Sequence, residues 1–339
     1  MRSLLRSLIY PLEVNLNEQF SYGMREVLLS THGLDPSSLI NAKLVHGDVD
    51  YKSPTSWPSI WRNPLIRYPI LCWSKIQEKE LKRLGFRETI VPIGSPYIHL
   101  IDYIKKAQNL RFPQYQKNSL LYFPNHSHPG FQVKLHNTKD LKDCFDGFDQ
   151  VTICLFWLDF IDLEIRNRYL ELGVDVTCVG YKGPSNAEKP WSDNGGRVNH
   201  LLNLAYLISR HEFILTDSPT ITLMYAVSLH KSVKFLKYEI GGSSFHNSSK
   251  VEEELVSDQI EPQGILQSLA LANRLSPDVW YHYEEENLLL RVADEVLGKD
   301  SMIGFQDWVS GSNNCLTIGK VSSRYVESFQ SSLTNLFGC

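Results

Sequence analysis

Short apolar runs alternate with amphipathic segments along most of this chain, and from residue 119 the alternation is strict. SLLYF (119–123), DQVTICLFW (149–157), VDVTCVGY (174–181), EFILTD (212–217) and SVKFLKYE (232–239) read as five strands. Between them, LDFIDLEIRNRYLELG (158–173), VNHLLNLAYLISRH (198–211) and PTITLMYAVSLH (219–230) carry apolar residues at helical spacing. The first of these closes on Gly173, a helix-stop signal. Strand and helix in strict turn predict a parallel sheet covered by helices on both faces.

A shorter version of the same pattern precedes it. LINAKLVHGDVDY (39–51) reads as a short strand ending in a polar loop, and PILCWS (69–74) as a buried strand. KIQEKELKRLGF reads as an exposed helix closing at Gly85, and ETIVPIGSPYIHLIDYIKKA as strand, turn and helix. The Pro- and Trp-rich stretch between residues 51 and 69 predicts an irregular loop, since each proline lacks a donor and restricts its predecessor. AQNLRFPQYQKN (107–118) is polar and reads as a linker. The predicted organisation is α/β: a short first domain over 1–110, a linker at 111–118, a second domain over 119–300, and a tail at 301–339 that packs back.

Composition narrows the partners. The chain has 339 residues, long enough for two cores. A formal net charge of −4 argues against broad phosphate-backbone binding, so no nucleic-acid partner is expected. Six cysteines without CxxC spacing point to a reducing cytoplasm and away from a zinc site. No apolar run is long enough to cross a bilayer. The opening MRSLLRSLIY reads either as an ordinary first helix or as a basic amphipathic helix making peripheral contact with a membrane surface.

The candidate chemistry sits where strands end. At Thr216-Asp217-Ser218-Pro219-Thr220 a strand hands over to a helix. Asp217 or Ser218 can cap that helix, and Pro219 suits its first turn. The same residues can instead seat a phosphate on the exposed amides and the positive end of the helix dipole. Asn125-His126-Ser127-His128 follows the strand at 119–123. His126 and His128 could bind phosphate, or one of them could act as general base, and no carboxylate or cysteine pattern beside them completes a metal site. His46 and Asp48 end the strand at 39–45, as a base and its orienting carboxylate or as a polar turn. Gly94 could let backbone approach a ligand closely, or could simply turn the chain. From position alone, Tyr181 and Lys182 are assigned to a nucleobase and Glu239 to a ribose.

Taken in order, LVHGD, WSKIQEKELKRLGFRETIVPIGSPYIHLIDYI, SLLYFPNHS and FILTDSPTITLMYAVSLHKSVKF resemble the layout of the GT-B glycosyltransferase superfamily. The likeness is to bacterial surface-polysaccharide enzymes, the capsule and teichoic-acid transferases, and covers roughly residues 40 to 240. It implies two Rossmann-like domains facing a cleft. It also implies His46 as base for an acceptor hydroxyl, and Ser218 and Thr220 on the donor phosphate. The chain departs from the family pattern at Pro219, at His230-Lys231-Ser232 where Gly-Lys-Pro is usual, and at Asn125-His126-Ser127-His128. The implied partners are a nucleotide-sugar donor and a glycan or lipid-linked acceptor, with no cofactor. The alternatives are a nucleotide-sugar 2-epimerase, which shares the fold, and a non-catalytic scaffold that binds a partner.

Overall fold

The computed structural model describes residues 23–36, 38–45, 69–83, 85–125, 138–180, 200–217, 220–236, 279–282, 287–311, 316–317 and 333–338. Among these the chain is α/β, with a three-stranded and a five-stranded parallel sheet. The first sheet contains β2 (Lys43–Leu44), β3 (Ile70–Cys72) and β4 (Ile90–Pro92), in that order. Before it come helix α1 (Met24–Thr31) and the short strand β1 (Leu39–Ile40). Helix α2 (Lys75–Arg83) crosses between β3 and β4, and α3 (Pro96–Lys106) leaves β4. The strand expected over 39–45 is thus two short pieces, since β1 pairs with β10 (Leu316–Thr317) and not with its own sheet.

The second sheet holds β5 (Gln116–Phe123), β6 (Gln150–Leu155), β7 (Asp175–Cys178), β8 (His211–Thr216) and β9 (Ser232–Phe235), in the order β7-β6-β5-β8-β9. Helix α4 (Thr138–Phe145) follows β5, α7 (His200–Ser209) precedes β8, and α8 (Ile221–Ser228) joins β8 to β9. Strand β5 starts at Gln116, so the last part of the stretch read as a linker is strand. The helix expected over 158–173 is two helices, α5 (Trp157–Ile161) and α6 (Leu163–Leu170). Asp162 divides them because its carboxylate accepts from the amides of Glu164 and Ile165 at 3.0 and 3.2 Å, starting a new helix.

Later helices of the chain pack against the end of the first sheet. Helix α9 (Asn287–Leu297) ends at Gly298, which has φ +72. There the Leu297 carbonyl accepts from the Ser95 amide at 2.7 Å. A Cβ on Gly298 would lie 1.8 Å from the Trp73 carbonyl oxygen, so only glycine allows this approach. Helix α10 (Ile303–Gly311) brings Phe305 into the same core. One apolar cluster takes in Leu44, Leu71 and Ile93 from the first sheet and Ile214, Val233 and Phe235 from the second. Across that junction the Tyr225 ring of α8 stacks on Tyr97 of α3 at 3.9 Å between centroids, with Trp73 6.5 Å from Tyr225.

A histidine pair, His99 buried and His32 partly buried, lies beside this junction. His99 is 2% exposed, and its Nε2 lies 2.7 Å from the Ile93 carbonyl, which can only accept. Nε2 therefore carries the proton and Nδ1 accepts from His32 Nε2–H at 3.0 Å. Burial holds His99 down at about 4, and burial lowers His32 as well.

Two outcomes follow from this architecture. Gly298→Ala is expected to cost about 3 kcal/mol or more in urea unfolding, from the left-handed backbone and the clash together. An unfolded histidine titrates near 6.5, so between pH 6.5 and about 4 the unfolded chain binds a proton that folded His99 refuses. Stability should therefore fall as pH drops through that window, and level off below it. His99→Gln should flatten the slope by up to one proton. An unchanged slope would show that the pair does not govern it.

Candidate functional site

The second sheet contains a topological switch. From β5 the chain winds outward to β6 and β7, then returns to the other side of β5 for β8 and β9. Ligands of open parallel sheets bind beyond the carboxyl ends of the strands at such a point. Here those ends are Phe123-Pro124-Asn125 after β5 and Asp217 after β8, the first residue of the polar knot.

Asp217 is 3% exposed and does not cap α8. Its carboxylate turns sideways onto the neighbouring strand. One oxygen accepts from the Tyr122 hydroxyl at 2.5 Å, the other from the Asn125 amide at 2.6 Å. Burial, and then the Asp217 charge, push the Tyr122 phenol well above its ordinary value, so it stays protonated and donates. Asn125 is placed here as a backbone donor to protein. Tyr169 on α6 is also held up, first by burial and then by the charges of Asp217 and Asp159. Asp159, 4% exposed in the first turn of α5, completes a buried group of two carboxylates and two tyrosines on this edge.

Thr220 is the N-cap residue of α8, in extended conformation, and makes no side-chain cap bond. Neither Asp217 nor Thr220, the two described residues of the knot that could cap, occupies the first amides of the helix. Of the two candidate caps, Asp217 gives its carboxylate to the sheet edge, and Ser218 lies outside the described residues. At its far end α8 closes through His230, whose φ of +58 is the left-handed conformation usually left to glycine. This is the position where Gly-Lys-Pro was expected. Lys231 follows and is buried, its Nζ donating to the Ser209 carbonyl at 2.8 Å.

Gly94 lies in the left-handed region. Its φ is +80, as a close approach requires, but what approaches is the chain itself. A Cβ there would meet Met302 Cγ at 2.9 Å and the Gly298 carbonyl at 3.2 Å. Ser95 next to it caps α3, accepting from the Ile98 amide at 3.3 Å. On the first sheet the carbonyl of Val45, the residue before His46, accepts from the Trp73 indole at 3.1 Å. His46, Asp48, His126, His128, Tyr181, Lys182, Ser218 and Glu239 lie outside the described residues.

Sequence reasoning missed Tyr122, Tyr169 and Asp159. Tyr122 had a signal, a phenol in the last turn of pleat before the strand's end, but its partner is 95 residues away. Among the described residues no group of three His, Cys, Asp or Glu side chains could hold a metal ion. No described helix is long and apolar enough to cross a membrane. Compared with known proteins, the chain matches no protein-family model, and no curated protein sequence matches it.

The tie at Asp217 predicts a graded loss. Tyr122→Phe should cost about 1.5–3 kcal/mol, by removing one donor from a buried carboxylate. Asp217→Ala should cost more, about 3–5 kcal/mol, since it strands a phenol and an amide together. Urea unfolding checks both, and near-neutral effects would show that solvent already satisfies these groups.

Proposed function

We propose that the protein is a GT-B-like glycosyltransferase, moving a sugar or polyol phosphate from a nucleotide-activated donor to a glycan or lipid-linked acceptor. One observation carries this reading. The helix beyond the switch point starts without a side-chain cap from Asp217 or Thr220, and Asp217 has turned its charge onto the adjacent strand. A carboxylate left facing those amides would repel a phosphate, and one spent on Tyr122 and Asn125 does so less. The parallel sheet order and the ordered sequence likeness support the same reading.

In this mechanism His46 removes the proton of the acceptor hydroxyl, with Asp48 orienting it. The acceptor oxygen attacks the donor's anomeric carbon, or the phosphorus of a polyol phosphate donor. The bond to the leaving nucleotide phosphate breaks, and that phosphate departs with the bonding pair. Ser218, Thr220, the helix amides and His126 or His128 take up its charge. Tyr181, Lys182 and Glu239 hold the nucleoside. The reading places the reaction in a cleft between two Rossmann-like domains.

The test is thermal denaturation with UDP, GDP, CDP, CMP and ADP at millimolar concentration. A ligand that binds only the folded state raises Tm, with about 2.7 kcal/mol gained at a hundred times Kd. One nucleotide should shift Tm by a few degrees, and Ser218→Ala with Thr220→Ala should remove the shift. If no nucleotide shifts the folded protein, the transferase reading falls. If a nucleotide sugar is converted with no acceptor present, isomerisation replaces transfer.

A further inference from the structure

A second pocket, of about 530 Å³, lies on the second sheet away from the switch point. It opens over the early part of β5 and β8, with Asn118 and Phe213 on its walls. Its floor is aromatic. Phe148, Phe213 and Trp280 pack edge to face, with centroids 5.4, 5.9 and 5.0 Å apart and ring planes 64–72° to one another. The rim is fixed by Asn118, a non-glycine residue at φ +52. Its backbone amide donates to Glu212 at 2.7 Å, and its side chain donates to the Gly147 carbonyl at 2.8 Å.

The lining carries charges of both signs. Asp143 and Asp146 stand exposed at the last turn of α4, where the helix end adds negative character. Lys234 of β9 also lines the pocket, its Nζ 5.8 Å from the centre of the Trp280 ring. Neither aspartate makes an ion pair with Lys234 or with any other described residue, so these charges are not spent on each other. A simple organic cation would suit the rings and the aspartates, but Lys234 would repel it. A simple anion would suit Lys234 and be repelled by the aspartates.

The geometry points to a binding site for a small zwitterion of amino-acid type: its ammonium on Asp143 and Asp146, its carboxylate on Lys234, its apolar side chain on the three rings. The site is separate from the switch point and does not depend on the transferase reading.

The experiment titrates L-phenylalanine into the full chain by calorimetry, beside phenethylamine, which lacks the carboxylate, and 3-phenylpropionate, which lacks the ammonium. L-phenylalanine should bind about tenfold more tightly than either. Lys234→Met should weaken L-phenylalanine about tenfold and leave phenethylamine no weaker. Asp143→Asn with Asp146→Asn should weaken L-phenylalanine similarly and leave 3-phenylpropionate no weaker. Substitutions that merely loosen the fold would weaken all three probes alike. Equal binding of the three probes, no binding to folded protein, or variants without this crossed pattern would each overturn the proposal.

Discussion

A buried carboxylate must be satisfied, and how Asp217 meets that demand shapes the whole carboxyl edge of the second sheet. Its two oxygens are spent on a phenol from inside β5 and an amide just past the end of β5. That locks the ends of two adjacent parallel strands at the switch point, where the sheet itself stops supplying ladder bonds. It also holds the chain at Asn125, just past the end of β5. The same commitment keeps a negative charge from the first turn of α8. Structure and electrostatics are therefore set by one side chain, and moving it would disturb both at once.

The junction between the sheets is set by close backbone approach and ring packing. Gly298 lies against the Trp73 carbonyl, and Gly94 against Gly298 and Met302. The Trp73 indole, in the same place, holds the Val45 carbonyl that leads into His46. Tyr225 stacks on Tyr97 from the helix that opens at the polar knot. The chain leading to the proposed base and the helix proposed to seat the phosphate are thus braced against one rigid group of aromatic side chains.

Much of the fold was legible because apolar runs of four to six residues alternate with helical spacing, and β5 through β9 fall where that pattern puts them. The errors have physical causes. The split at Asp162 depends on one carboxylate turning back to two amides, which periodicity cannot register. The polar start of β5 at Gln116 looks like a linker because its pairing with β8 is non-local. The turn at Gly94 was legible, but what fills it is encoded some two hundred residues later. Tyr122 and Asp217 meet through strand register, and the second pocket gathers residues from separate segments. His230 hides its left-handed conformation because no glycine marks it.

The late arrival of Gly298 has a consequence for how the molecule is made. Leu297 and Gly298 pack against the turns that follow β3 and β4, and Phe305 joins the core beside them; β1 is paired by Leu316–Thr317, and Leu110 by Gly338. On the ribosome these partners emerge well after the first sheet, which until then lacks the contacts they supply. Contacts between such distant parts of a chain form slowly, since a long loop must close before any contact rewards it. The first sheet therefore gains these packing partners only after a long intervening stretch of chain has been made.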